Sequence, residues 1–378
     1  MVSQQALHLN NPNVRYNSLI WPNKTFAAHA FSLYCASILF LEISMSLRLG
    51  ALIVLFTFPY FASSLLANEI PEHTIEAIHS WPPYPQTLTQ FDYSGDLLQQ
   101  NWPLLTAGIQ LPWPDSLLVQ EMMTKYPQLS QQLIELANQP NTHPALAPIL
   151  QQNFEPLAEA VQQVWRLHYQ GQYQQAYELG MSLGPAGLLP ALYAKLIHTT
   201  FLIPTNHKAE KYLEVDTIMK PLIPVLKNFD FLTFGDAYQK ARRLELLSTG
   251  AATASGLLGP TQTALQKLHK KSPQHPLYSA MLAGIDIGVI ERVGGFIGGM
   301  TYGADEDDAI KLFDNALKQE KRLAVLYNEY AQALIRLDDS DYQAKLVQLL
   351  NTCINLPVYS AEEALNQQVC ANIVANLN

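Results

Sequence analysis

From residue 154 to the carboxyl end, apolar residues recur at intervals of three and four, as in Ile310, Leu312, Phe313, Ala316 and Leu317. That period puts them on one face of a helix, and the two-residue alternation of a half-buried strand is almost missing. The pattern predicts paired amphipathic helices over 154–170 with 172–184, 186–201 with 208–227, 231–249 with 260–272, 276–293 with 305–320, and 322–337 with 341–355. A closing helix is expected over 361–376, opened by Ser360 and Glu363 as a capping box. Consecutive helical hairpins of this length are the signature of an α-solenoid. The expected fold class is all-α, with the stacked hairpins occupying 157–378.

Residues 68–156 follow another rule. They hold 12 of the 24 prolines, with Trp81, Trp102 and Trp113 among them. "SWPPYPQTLTQFDY" cannot be a regular helix, because proline fixes φ and removes a donor. Short helices are expected between the prolines, in "GDLLQQNWPLL", "PDSLLVQEMMTKY" and "QLSQQLIELANQ". The segment reads as an irregular helical lead-in packed on the hairpins or capping them.

The amino end changes the picture again. In residues 45–67 a short region with Arg48 precedes an apolar run from Leu49 to Phe61, and small residues lead to Ala67. This is the order of a secretory signal peptide, and the apolar run is short of the ~20 residues a spanning helix needs. Residues 1–44 do not suit a segment upstream of a signal, so Met45 is the expected start and 1–44 an extension. The alternative is a membrane anchor within 26–66, as a hairpin of 26–41 and 49–66. The expected compartment is therefore periplasmic or exported.

Composition narrows the function. Charged residues make up only 15% of the chain, against about a quarter in typical soluble proteins, and the net charge is −9. Nucleic-acid binding draws most of its affinity from phosphate neutralisation, which an acidic chain does not favour. The one local basic knot, "KLHKKSPQH", reads equally as the polar end of a helix. Of three cysteines, Cys353 and Cys370 fall in the last two predicted helices. Cys370 lies roughly 14 Å along its helix from the start. A simple antiparallel hairpin would then hold the two Cα atoms farther apart than the ~7 Å a disulfide tolerates. Two buried free thiols are expected.

Some residues carry a family resemblance. "DDAIKLFDNALKQ" has Ala309, Phe313 and Ala316 at the spacing of the second helix of a tetratricopeptide repeat. "LYNEYAQALIRLDD" follows with Tyr327, Tyr330, Ala331 and Leu334 at that repeat's first-helix packing positions, and "GQYQQAYELG" offers Gly171, Tyr173 and Ala176 at a matching turn. More broadly, "VWRLHYQGQYQQAYELGMSLGPAG" and "VIERVGGFIGGMTYGA" make residues 160–376 resemble a group of exported proteobacterial tetratricopeptide-like proteins. The resemblance implies stacked helix pairs and a binding role, and brings neither an enzymatic activity nor an assigned ligand.

Candidate chemistry is thin. "GMSLG" fits the nucleophile elbow with Ser182 as nucleophile, but the elbow needs a buried strand before it, and "YQQAYEL" is a polar helical segment. The histidines form no metal-ligand spacing; His73 and His79 flank Glu76 off one helical face. The glycine stretch 294–303 lacks the lysine of a phosphate loop and the ligand positions of a calcium loop. It is expected to be an extended, tightly packed joint between two helices, with Asp305 to Asp308 at the N-terminus of the second. For a partner surface the candidates are Trp165, Arg166 and His168 on one helix, with Arg292 and Tyr302 at the joint.

The first expectation is a non-catalytic scaffold or adaptor for a protein or peptide, using no metal or cofactor. The alternative is a small-molecule-binding or transport accessory protein with a ligand cavity under the lead-in. A hydrolase using Ser182 ranks third. A deep apolar pocket near Trp81, Trp102 or Trp113 would favour the ligand, and an open groove the partner.

Overall fold

In the computed structural model residues 81–377 are described, and every regular element among them is helical. The extension 1–44, the signal-like segment 45–67, the anchor 26–66 and the trio His73, Glu76, His79 lie outside the described residues.

The lead-in holds three helices, α1 (Leu97–Leu105), α2 (Ser116–Lys125) and α3 (Pro127–Ala137). Asp115 caps α2, its side chain accepting from the Leu118 amide at 2.8 Å. Pro127 then takes the first position of α3, where its missing N–H costs nothing. A residue before proline is kept out of the helical region, and Tyr126, with φ −123° and ψ 76°, breaks α2 from α3 at a corner.

The helices that follow are α4 (Glu155–Tyr169), α5 (Tyr173–Ser182), α6 (Leu188–Phe201), α7 (Thr205–Met219), α8 (Asp230–Glu245), α9 (Thr249–Ser255) and α10 (Leu258–Lys271). Then come α11 (Pro276–Tyr302), α12 (Glu306–Gln319), α13 (Ala324–Leu337), α14 (Gln343–Asn355) and α15 (Ala361–Leu377). Each predicted helix is present, most within a few residues of the expected bounds. Helix α7 stops at Met219 rather than 227, because Pro221 and Pro224 cannot continue it. Helix α9 was not expected; Ser248 caps it, its hydroxyl accepting from the Ala251 amide, and Gly256 ends it at φ 66°.

Small residues set the closest approach between helices. A Cβ on Gly180 would lie 2.6 Å from the Gly187 carbonyl oxygen and 2.7 Å from Ala191 Cβ. The "GMSLG" segment is therefore the point where the end of α5 meets the start of α6. Ser182 donates its hydroxyl to the Leu179 carbonyl at 2.7 Å, within its own helix.

The glycine stretch departs from expectation. Instead of an extended joint, the chain kinks once at Gly294 (φ 79°, ψ 158°) and resumes the helix to Tyr302, where Gly303 terminates it at φ 69°. A Cβ at Gly294 or Gly295 would meet nothing within 4 Å, so the kink itself is open, whereas Gly298 is buried and a Cβ there would meet Val289, Ile290 and Ala304 at 3.5–3.7 Å. The segment projects Phe296 and Met300, 80% and 76% exposed. The kink needs a residue free to take positive φ, and glycine does so without a Cβ penalty. Asp305 caps α12 as the charge pattern predicts, accepting from the Asp308 amide at 2.9 Å.

Two large cores result. One joins the lead-in to α4, α5 and α6 around Leu98, Trp102, Trp165 and Tyr169. The other is built from α11 to α15, where the Phe313 and Tyr330 rings stack with centroids 4.5 Å apart. Helix α15 packs on α13 and α14 and also reaches α4.

The cysteines correct the sequence reading, since Cys353 and Cys370 form a disulfide with Cα atoms 6.3 Å apart. Residues 356–360 connect α14 to α15 without helix, beginning at Leu356 in an extended backbone with ψ 142°. Five extended residues span up to roughly 16 Å. The start of α15 is thereby set back, and its third turn, not its first, faces the end of α14. Gln367 fixes that register by donating to the Cys353 and Leu356 carbonyls at 3.1 and 2.9 Å. The expected outcome for a Cys353→Ala, Cys370→Ala double variant is a loss of about 2–4 kcal/mol in denaturant-measured stability. A loss below half a kcal/mol would mean the bridge does not form in the native protein.

Candidate functional site

An apolar cleft of about 160 Å³ opens between the lead-in and the first hairpins. Several pieces of chain enclose it. The proline-rich stretch from Leu111 to Pro114 forms one wall, and Leu118, Val119 and Met122 of α2 a second. Tyr126, Leu129 and Leu133 about the start of α3 form a third, Pro185, Ala186, Leu189 and Pro190 about the start of α6 a fourth, and Val161 and Trp165 of α4 with Phe229 and Phe231 the rest. No charged residue lines it, and Tyr126 and Ser130 supply its side-chain hydroxyls. Their positions follow from the local chemistry already described. Tyr126, at the corner before Pro127, is 7% exposed. Ser130 comes one helical turn later.

The proline-rich wall has no ladder of its own, and side chains hold its carbonyls. Trp102 Nε1 donates to the Leu111 carbonyl at 3.0 Å, and Gln162 Nε2 of α4 to that of Pro114 at 2.9 Å. The Trp102 ring meets Trp113 and Trp165 edge-on at 5.2 and 5.6 Å. Farther up the lead-in, Arg166 Nε and Nη2 donate to the Tyr93 and Gly95 carbonyls at 2.6 and 3.2 Å. His198 Nε2 of α6 donates to the Pro82 carbonyl at 3.0 Å, with the Trp81 ring centroid 4.5 Å from its own. Burial drives the His198 pKa down to about 4; the hydrogen bond to Pro82 opposes this, and Lys195 and Lys211 add to it.

The residues expected at a partner surface are placed otherwise. Trp165 is buried and lines the cleft. Arg166 is half-buried and committed to the lead-in carbonyls and to Gln163. His168 is fully buried beside Tyr193, its Nε2 3.7 Å from a Glu362 carboxylate oxygen that also accepts the Tyr193 hydroxyl at 2.6 Å. Arg292 donates to the Leu244 carbonyl at 2.7 Å, near the end of α8. Tyr302 is half-buried and packs on the second core. Helix α4 carries the first three, but Trp165 faces the cleft, Arg166 the lead-in and His168 the core beside Tyr193; Arg292 and Tyr302 lie apart on α11. Helical spacing alone could not tell the faces of α4 apart, because lead-in and hairpins cover nearly all of it.

Tyr126, Leu133, Phe229 and Phe231 were missed by sequence reasoning. The legible signal was "KYP", a tyrosine held out of the helix by proline between two apolar-faced helices. Among the described residues, no three His, Cys, Asp or Glu side chains could hold a metal ion, and no helix is long and apolar enough to cross a membrane. No protein-family model, no curated protein and no solved structure matches the chain.

His198 gives the strap a measurable pH signature. Its folded pKa, about 4, lies below the unfolded value of about 6.5, so the unfolded chain binds more protons between those limits. Its stabilising contribution is complete above pH 6.5 and is lost as pH falls towards 4. Relative to a His198→Gln variant, the wild-type unfolding free energy should therefore decline across that window in denaturant titrations. Parallel curves for the two proteins would contradict the assignment.

Proposed function

We propose that this protein binds a small apolar molecule in the cleft under its lead-in, as a non-catalytic carrier or receptor outside the cytoplasm. The observation that carries the reading is the cleft itself, an uncharged cavity of about 160 Å³ roofed by the proline- and tryptophan-rich segment. Ligand pockets are concave, largely apolar and furnished with few polar groups, and this one has that composition. The supporting frame is a tetratricopeptide-like stack of helical hairpins. In its favour, Ala309, Phe313, Ala316, Tyr327, Tyr330, Ala331 and Leu334 are all buried at the positions where the repeat packs its helices. The contact of α15 with α4 departs from a simple linear array, in which each repeat meets only its neighbours.

Export is supported by two features of different kind. The 45–67 segment has the order of a signal peptide. The Cys353–Cys370 bridge suits an oxidising compartment, since cytosolic thiols are kept reduced. The protein-adaptor reading has less to stand on, because Trp165 and His168 are buried and Arg166 and Arg292 are bonded within the chain, which leaves the half-buried Tyr302. Ser182, with its hydroxyl spent on Leu179, has no nucleophile's setting.

Ligand addition tests the proposal. Ethylbenzene at saturating concentration should raise the thermal midpoint of the wild-type protein, because a ligand of the native state alone stabilises by RT ln(1 + [L]/Kd), about 2.7 kcal/mol at 100 Kd. A Leu129→Trp variant, whose indole fills the cleft, should keep the unliganded midpoint within a few degrees and show no rise. A wild-type midpoint indifferent to every apolar probe of this size would remove the reading.

A further inference from the structure

We infer that the protein self-associates head to tail, the apolar tip at the end of α11 in one copy entering the cleft of a second copy. The inference goes beyond the small-molecule reading and shares only the cleft with it. Its origin is the arm after the kink, where Gly294 turns the chain and residues 295–302 resume the helix. At about 100° per residue, Gly298 points one way and Phe296 and Met300 point the opposite way. Gly298 is buried against Val289, Ile290 and Ala304, whereas Phe296 and Met300 are 80% and 76% exposed and Ile297 beside them 51%. A surface helix turns its large apolar side chains to the core. This arm does the reverse, with glycine inward and phenylalanine and methionine outward. Its apolar face therefore serves something outside its own chain.

The cleft has the size and access that such a tip needs. An apolar cavity of about 150 Å³ accommodates benzene, so one of about 160 Å³ has room for the Phe296 ring. Leu111, Leu118, Met122, Leu129 and Phe229 line it and are only half-buried, so a side chain can enter from solvent. Met122 and Met123 give it walls that adapt to the shape of what enters.

Charge selects the pairing. Next to the tip in sequence stand Glu291, Asp305, Glu306, Asp307 and Asp308, against Arg292 and Lys311. Arg292 is turned to the Leu244 carbonyl and Lys311 to Asp308, so the surface round the tip is acidic. Two tips brought together would set these acids against each other, and an anionic membrane would repel them. The cleft carries the opposite sign. Lys125 is exposed, its ammonium 5.3 Å from the ring centroid of Tyr126 in the wall, and Lys227, also exposed, precedes Phe229 by two residues. Of the nearby acids, Asp115 accepts from the Leu118 amide and Asp230 from Lys271, which leaves Glu121 against the two lysines. Tip and cleft are different surfaces, so the contact is heterologous and repeats into a ring or an open chain. A contact this small is transient and depends on concentration.

Sedimentation velocity on two variants, each lacking one half of the contact, tests this. A Phe296→Ser, Met300→Ser double variant removes the exposed tip and keeps the cleft; Leu129→Trp fills the cleft and keeps the tip. Wild-type mass should rise with concentration past that of a dimer. Each variant alone should stay monomeric. An equimolar mixture of the two should form a one-to-one complex and grow no further, because its free ends offer neither tip nor cleft. Lys125→Glu with Lys227→Glu, at exposed positions that do not bear on folding, should weaken wild-type association about tenfold. Association of Leu129→Trp alone as strong as the wild type's would mean that tips meet each other, and would overturn the inference. So would a mixture that stays monomeric, a wild-type protein monomeric throughout, or lysine variants that associate unchanged. No small ligand enters the experiment. A mixed complex without ethylbenzene binding would therefore sink the proposed function alone, and ethylbenzene binding without a mixed complex this inference alone.

Discussion

A proline-rich segment cannot satisfy its own backbone, and the molecule is arranged around that constraint. Prolines remove donors and interrupt helix, so carbonyls on either side of α1, between 82 and 114, take partners from side chains or are left buried and unpaired. The helices supply them. His198 reaches Pro82, Arg166 reaches Tyr93 and Gly95, Gln162 reaches Pro114, and Trp102 reaches Leu111. Each bond is made by a side chain to a main-chain oxygen, so each fixes the path of the strap and not only its proximity. Because α4 provides two of these donors and also Val161 and Trp165, one helix both anchors the strap and forms the floor of the cleft beneath it.

The cleft is then a consequence of mismatch between a strap and a helical surface. A strap held by discrete hydrogen bonds cannot interdigitate with α4 as a helix would, and the aromatic layer of Trp102, Trp113 and Trp165 fills only part of the gap. Helices α2 and α3 cover the rest from the side. Val119, 9% exposed, is the one buried residue of α2, whereas Leu117 stays 66% exposed. A cover with so little buried apolar surface opens at low free-energy cost, as ligand-binding elements generally do. The functional proposal thus rests on the same physical fact as the fold: the strap is pinned at points and leaves space between them.

Helix existence was legible in the sequence because the three-and-four spacing of apolar residues is long and regular from 154 onward. Its failures have particular causes. Two prolines after Met219 shorten α7, and glycines that read as a joint instead permit one kink at Gly294 before helix resumes. The disulfide escaped because register between helices depends on the path of a five-residue connection, which periodicity does not encode. The aromatic and polar mixture on α4 was visible, but not that both lead-in and hairpins would bury it. The lead-in was readable as a cover, and the idea of a cavity beneath it followed from its prolines and tryptophans. Tyr126 was not readable as a site residue, since its place in the cleft wall depends on three-dimensional packing between the lead-in and the hairpins.

The central claim is that the space between strap and hairpins is a dry, apolar ligand site. Crystals of the protein equilibrated under xenon pressure test it most directly, because xenon enters apolar cavities and is displaced by ordered water from polar ones. The account predicts a xenon peak between Leu133 and Trp165. A chain of ordered waters there, or a cleft closed by movement of α2 with no xenon bound, would contradict it.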